Sequence, residues 1–196
     1  SELKSADAFL VVLKGFADEE LDSLYAYGSP QQQLNHLEEE FILNDLIVAE
    51  KRLEKIELGY KRGVKTPAIQ IEEKAIKEII ACLQDNRPLR LLELSGEEAK
   101  AIRGFQFFSS KPLLVLVNSS EGELSQAEAV AAELNSQAYQ AYAIAGKFEE
   151  ELSKLDSEEA QLFMEDMGIS ESIRDRLMHL CYRMLGYISF FTVGED

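Results

Sequence analysis

Three short apolar runs fix the kind of sheet this chain can build. Residues 8–14 (Ala-Phe-Leu-Val-Val-Leu-Lys), 113–117 (Leu-Leu-Val-Leu-Val) and 141–145 (Ala-Tyr-Ala-Ile-Ala) have the length and apolar content of buried strands, the third being the weakest copy. Each gives way to polar turn residues: Gly15 and Asp18, then Asn118–Gly122, then Gly146–Lys147. A strand that is apolar on both faces needs cover on both, which is the habit of parallel sheets flanked by helices.

Between the first two runs lies a long helical stretch. Ser29-Pro30-Gln31-Gln32 is a good helix start, with Ser29 as N-cap, Pro30 at the first position and Gln32 completing a capping box. Leu46, Ala49, Leu53, Ile56 and Tyr60 then follow at 3–4–3–4 spacing, a coiled-coil seam that Leu34, Leu37 and Phe41 extend upstream. Gly59 and Gly63 are expected to end this helix, and at ~1.5 Å per residue it is about 45 Å long, so its far end should project. Thr66-Pro67 opens a second helix with Ile69, Ile76, Ile79 and Leu83 on one face, and Pro88 closes it. Two long helices joined by a short glycine-bearing turn predict an antiparallel hairpin.

Downstream, a short helix over Gly96–Arg103 leads to Phe105, Phe107 and Phe108, read as core. Helices are predicted over Ser125–Ser136, Phe148–Met167 and Ser170–Gly186, and Phe190–Asp196 reads as a strand or linker. Met164, Met167, Met178 and Met184 are read as core, and the Glu38–Glu40 and Glu149–Glu151 runs as solvated helix faces. The fold class is α/β: about three parallel strands with helices, and an antiparallel α-helical hairpin inserted after the first strand. The domain reading is residues 1–28 and 88–196 for the sheet side, and 29–87 for the inserted hairpin.

Composition narrows the function classes. With 46% hydrophobic and 29% charged residues the chain has the makeup of a globular protein, and its apolar runs fall far below the ~20 residues of a membrane span. No basic segment followed by an apolar one opens the chain, which begins at Ser1 rather than Met, so a processed or partial chain is expected. Cys82 and Cys181 sit in apolar helical patterns and read as buried, reduced thiols. His36 and His179 have no partners at metal-ligand spacing. The net charge of −16 argues against a general affinity for nucleic acid, yet Lys51–Lys77 holds eight bases against four acids.

In open parallel sheets, ligands bind beyond the carboxyl ends of the strands. Asn118-Ser119-Ser120-Glu121 follows the second run and Ala145-Gly146-Lys147 the third. An Asn can bridge neighbouring loops and contact a purine, and an acid three residues on can accept from base N–H groups. A small-small-Lys turn can bring backbone N–H groups to the base edge and lay a lysine stem along it. Against this, no Gly-x-x-x-x-Gly-Lys-Ser/Thr loop occurs, and no Asp-x-x-Gly follows a strand. Phosphoryl transfer depends on such parts. By its own residues this chain is not expected to be a competent enzyme.

Several segments together resemble the YchF/Obg-like ATPase family of P-loop proteins. They are Ser29–Glu57 (SPQQQLNHLEEEFILNDLIVAEKRLEKIE), Pro88–Glu121 (PLRLLELSGEEAKAIRGFQFFSSKPLLVLVNSSE) and Cys181–Gly194 (CYRMLGYISFFTVG). The resemblance implies that the α/β part is a partial P-loop, Rossmann-like unit and that the helical insertion is a coiled coil. It implies that Asn118 and Glu121 form the base motif, with an acid that relaxes guanine preference, and that Ala145, Gly146 and Lys147 form the second base-side loop. It implies a cytoplasmic protein working around translation on the ribosome, with ATP or GTP and Mg in a parent that hydrolyses nucleotide. The phosphate loop, the switches and the C-terminal TGS domain of the family are missing from the matched region. The expectation is therefore a fragment that binds nucleotide weakly and does not hydrolyse it. Its first strand, near residues 8–14, should have an exposed edge through which a homodimer could form. The alternative is an interaction module whose basic hairpin, at Lys61, Arg62 and Lys65, docks on the ribosome or another protein, with no nucleotide binding of its own.

Overall fold

The computed structural model describes residues 2–24, 28–137, 139–166 and 173–187. Its strands are β1 (Phe9–Lys14), β2 (Leu113–Asn118) and β3 (Gln140–Ile144). Its helices are α1 (Glu19–Leu24), α2 (Pro30–Lys61), α3 (Pro67–Gln84), α4 (Gly96–Ile102), α5 (Leu124–Ser136), α6 (Gly146–Leu152), α7 (Ser157–Asp166) and α8 (Ile173–Met184). The Phe190–Asp196 reading lies outside the described residues. The chain divides into two compact units, Ser1–Asp7 with Gln32–Lys111, and Ala8–Gln31 with Pro112–Asp196.

The second of these units holds the sheet. Its three strands are parallel in the order β1-β2-β3, with Phe9 opposite Leu113 and Leu114 opposite Gln140. The central strand is buried from Leu113 to Val117, as its unbroken apolar run requires. Helix α5 packs on β2 and β3 and turns Ala127, Ala131 and Leu134 inward. At its end the Asn135 carboxamide accepts from Ala141 N–H at 2.8 Å and donates to Ala141 C=O at 2.8 Å. One side chain thus stands in for a neighbouring strand at the edge of β3. Asn135→Ala leaves both groups of the buried Ala141 unpaired, and urea denaturation should register a loss of about 1–3 kcal/mol. At the other side of the sheet β1 pairs with β2 alone, and its alternate residues Leu10 and Val12 are 49% and 57% exposed, so one face of this strand is uncovered.

Three features of this unit depart from the sequence reading. Helix α1 was not foreseen; Asp18 starts it by accepting from Leu21 N–H at 2.9 Å. The single helix expected over Phe148–Met167 is two, because Asp156 accepts from the N–H groups of Glu158 and Glu159 and begins α7 afresh. Ala145, Phe148 and Leu152 then form a small core with Phe163 and Met164. Met178, read as core, is 52% exposed, and Met167 lies outside the described residues.

The other unit is built on α2 and α3. Thr66 caps α3 by accepting from Ile69 N–H at 3.3 Å, with Pro67 in its first turn. Gly59 does not stop α2, which runs on to Lys61; Gly63, at φ +81°, supplies the left-handed turn. Ile42 and Ala49 of α2 share a core with Ile76, Ile79, Cys82 and Leu83 of α3. Leu89 and Phe107 complete that core, so residues 88–111 pack with the helices. Arg52 donates both ways to Glu72 at 2.6 Å, and Tyr60 donates to Glu73 at 2.7 Å. That last bond, ahead of burial, pushes the Tyr60 phenol up to about 12. Cys82 is buried and Cys181 half-buried, both as free thiols.

Buried polar groups hold this core in register. Glu38, expected on a solvated face, is 6% exposed and pairs through both oxygens with Arg90, while Glu39 and Glu40 stay exposed. Asp45, 2% exposed, accepts from Phe108 N–H, Ser109 N–H and Ser109 Oγ at 2.7–2.9 Å. Burial pushes its carboxyl up, against the pull of the Ser109 and Phe108 donors. The Lys111 ammonium donates to the carbonyls of Leu3, Lys4 and Ala6 and ties down the first residues described.

Helix α4 opens with a capping box: Ser95 Oγ accepts from Glu98 N–H, and Glu98 accepts from Ser95 N–H. Lys74 of α3 donates to the same Glu98 carboxylate at 2.7 Å. Lys74 first, and Ser95 after it, hold that carboxyl down at about 2. A depressed carboxylate contributes stability in full above its unfolded pKa of ~4.3 and loses it as pH falls through the folded value. Urea midpoints should therefore drop between about pH 4.3 and 2. Glu98→Gln should flatten that part of the profile.

Candidate functional site

The carboxyl ends of the three strands are laced together by backbone and one side chain. Gly15 N–H, just past β1, donates to Asn118 C=O at 2.7 Å, and Ser119 N–H donates to Ile144 C=O at 2.9 Å. Gly146 N–H donates to Asn118 Oδ1 at 2.9 Å. Asn118 thus joins the loop after β2 to the loops after both neighbouring strands. The glycines are needed for that closeness. A Cβ at Gly146 would lie 2.8 Å from Asn118 Oδ1, and one at Gly15 would lie 2.8 Å from Val117 Cγ1 and 3.0 Å from Asn118 O.

With Oδ1 used inside the protein, the Asn118 Nδ2 group donates to no acceptor among the described residues and is the half-buried donor at this edge. Glu121 opens a 3-10 turn over Glu121–Glu123 and is exposed. Ser120 Oγ bonds Glu123 rather than Glu121, at 2.7 Å, which leaves the Glu121 carboxylate outside that turn's own hydrogen bonding. Ala145 is buried at the N-terminal cap of α6, and Lys147, in its first turn, is exposed. The fold therefore brings Asn118 to Gly146. It draws no hydrogen bond between Glu121 and Lys147. Gly15 and Ser119 belong to the same edge; the sequence places both just past apolar runs but assigns neither a role, which the register of the strands supplies.

The loop after β2 presents an amide donor on Asn118 and an exposed carboxylate on Glu121, a donor and an acceptor that a planar polar ligand could meet, while the Gly15 and Gly146 amides are spent within the edge. Among the described residues no group of three His, Cys, Asp or Glu side chains could hold a metal.

Lys61, Arg62 and Lys65 all lie exposed at the turn between α2 and α3. Lys65 Nζ stands 5.5 Å from the Tyr60 ring centroid, a cation–π distance. No described helix is long and apolar enough to cross a membrane.

A three-stranded parallel sheet with helices matches a partial P-loop, Rossmann-like α/β unit. No family model matches the chain. In sequence and fold it is nevertheless similar to YchF proteins. It is 27% identical over 202 residues to the ribosome-binding ATPase YchF of Bacillus subtilis, covering 100% of this chain and 55% of that one. It is 24% identical over 203 residues to Obg-like ATPase 1 of Caenorhabditis elegans, covering 100% of this chain and 51% of that one. The solved YchF GTPase of Schizosaccharomyces pombe superposes with a TM-score of 0.84 at 25% identity, over 100% of this chain and 54% of that structure. The chain spans about half the length of the curated relatives it matches.

Proposed function

We propose that this chain is the base-recognising half of a YchF-like ATP- or GTP-binding protein and that it does not itself hydrolyse nucleotide. The observation that carries the reading is the bond from Gly146 N–H to Asn118 Oδ1, which fixes the carboxamide at the edge where a base would lie. In this reading Asn118 Nδ2 donates to the purine ring. Glu121 accepts from base N–H groups, the Ala145-Gly146 backbone borders the base, and the Lys147 stem lies along it. The nucleotide supplies the reactive phosphates when bound. The 196 residues carry no Gly-x-x-x-x-Gly-Lys-Ser/Thr motif to grip them, so binding is weak and rests on the base. Residues 29–87 are the insertion into this half-domain, and the setting is cytoplasmic translation.

Equilibrium dialysis against labelled nucleotides tests this. Adenosine and ATP should bind within about threefold of each other in the millimolar range, near −4 kcal/mol, and Asn118→Ala should abolish both. Micromolar ATP binding, or an Asn118→Ala variant that binds as well as the wild type, would contradict it.

A second reading is favoured by the exposed Lys61, Arg62 and Lys65 and by the name ribosome-binding ATPase carried by the bacterial relative. On it the basic helix pair docks on the ribosome. Wild-type protein should then pellet with ribosomes and lose that association in a Lys61→Glu/Arg62→Glu/Lys65→Glu variant. Self-association through the exposed β1 edge is a further proposal, checked by sedimentation; a monomer at all concentrations would discard it.

A further inference from the structure

The segment that joins α3 to α4 carries more apolar side chain than the core takes up. It holds Leu89, Leu91, Leu92 and Leu94, of which only Leu89 is buried; Leu92 and Leu94 are half-buried and Leu91 is 55% exposed. Leu89, Leu92 and Leu94, with Ile79 of α3 and Ile102 of α4, line an open hollow of about 530 Å³, within the size range of sites that seat a ligand. The lining carries a single charge, on Glu93.

The backbone beside the hollow is open as well. Leu92 (φ −95°, ψ 123°) and Ser95 (φ −63°, ψ 159°) are extended, and the residues between them belong to no helix or strand. Exposure alternates along the stretch, with exposed Glu93 between half-buried Leu92 and Leu94, as in a strand with one covered face. The N–H groups of Glu93 and Leu94 and the C=O of Glu93 bond no described residue. A short extended stretch with unpaired amides is a strand edge without its neighbour. The Glu93 carboxylate is joined by no hydrogen bond or ion pair to any described residue, and Glu97, exposed in the first turn of α4, adds a second acid nearby in the chain.

We propose that Leu92–Leu94 binds an extended segment of a partner protein by strand addition, with two apolar side chains of that segment in the hollow and a basic residue between them opposite Glu93. Directly opposed residues of paired strands share a face, so an apolar-basic-apolar segment answers Leu92, Glu93 and Leu94 in turn. A small apolar molecule would fill the hollow but leave the amides and the acid unmet. An acidic segment would set like charges opposite Glu93. The hollow shares no residue with the carboxyl edge of the sheet or with the turn at Lys61–Lys65, so its failure would leave both earlier readings standing.

The test is fluorescence anisotropy of the full chain with labelled five-residue peptides: Lys-Val-Lys-Val-Lys, its acidic counterpart Glu-Val-Glu-Val-Glu, a Lys-Ser-Lys-Ser-Lys control, and the first peptide N-methylated at its central amide. Ala99→Met narrows the hollow from an exposed helix position, Glu93→Lys reverses the charge, and Lys100→Gln changes an exposed neighbour that does not line the hollow. Urea midpoints confirm that each variant is folded. Wild type should bind the Lys-Val peptide on a saturable isotherm, with the serine and N-methylated peptides about tenfold or more weaker. Ala99→Met should lose about tenfold, Lys100→Gln should match wild type, and Glu93→Lys should reverse the preference, taking the Glu-Val peptide about fivefold more tightly than the Lys-Val one. No binding by wild type overturns the proposal. Equal binding of the serine peptide means attraction by net charge alone and overturns it too. Equal binding of the N-methylated peptide overturns strand addition, and a Glu93→Lys variant that still prefers the Lys-Val peptide overturns the place assigned to the basic residue.

Discussion

Asp45→Ala is expected to destabilise the helical unit by on the order of 3–5 kcal/mol, the largest single-residue effect in this fold. The carboxylate is 2% exposed and satisfies three donors: the N–H groups of Phe108 and Ser109 and the hydroxyl of Ser109, a residue with no exposed surface. Truncation removes hydrogen bonds to a charged acceptor and takes that acceptor from the N–H groups of half-buried Phe108 and fully buried Ser109. The consequences spread along the chain. Ser109 C=O also accepts from Arg90 N–H at 2.9 Å, and Ser109 Oγ accepts from Leu89 N–H at 3.3 Å, so the segment that seats Leu89 in the core loses its anchor. Asp45→Asn keeps one acceptor oxygen and should cost about half as much. Chemical denaturation of the three proteins gives the ranking directly: wild type, then Asn, then Ala. Equal stability of Ala and Asn would mean that the charge, not the donor count, sets the cost.

Gly146→Ala should leave the fold standing and remove nucleotide binding. The added Cβ would sit 2.8 Å from Asn118 Oδ1, the far end of a side chain that can swing away. Swinging away breaks the 2.9 Å bond that holds the carboxamide at the sheet edge. Backbone strain is small, since Gly146 is the first residue of a helix. The expected stability change is therefore about 1 kcal/mol or less, while affinity for adenosine falls about tenfold or more as a positioned donor is lost. Gly15→Ala is the contrasting case. There a Cβ would meet a backbone oxygen at 3.0 Å as well as Val117, so the sheet itself must yield. Binding lost without stability is the mark of the first substitution, and both lost together the mark of the second.

Much of this architecture can be read from local chemistry. The apolar runs become the three parallel strands, and the central one is buried on both faces as its pattern requires, whereas β1 leaves Leu10 and Val12 exposed on one face. Thr66-Pro67 starts a helix where capping rules place one. Long-range partners are what local patterns cannot reveal. Glu38 looks like its exposed neighbours Glu39 and Glu40 until Arg90, 52 residues away, is brought beside it. Asp45 is one more acid on a charged helix until Ser109 arrives from 64 residues on. The break at Asp156 was legible in principle, since an aspartate before Ser-Glu-Glu is a good N-cap, but the apolar spacing on either side masks it. Met178 misled for a related reason: apolar residues also occur on exposed faces, and hydrophobicity alone does not say which face is covered. At the sheet's carboxyl edge, the places of Asn118 and Gly146 just past two strands were legible, but the bond between them, and that from Gly15 to Asn118, needed the strand register.

The edge formed by Asn118, Ser119 and Gly146 is proposed to hold a purine base. Titration of uniformly 15N-labelled protein with adenosine and guanosine, followed by amide chemical shifts, examines that edge residue by residue. The amides of Gly15, Ser119, Gly146 and Lys147 should move together on one saturable millimolar isotherm, those of α3 should stay still, and Asn118→Ala should silence the response. Shifts confined to other parts of the protein, or none at these four amides at saturating nucleoside, would contradict it.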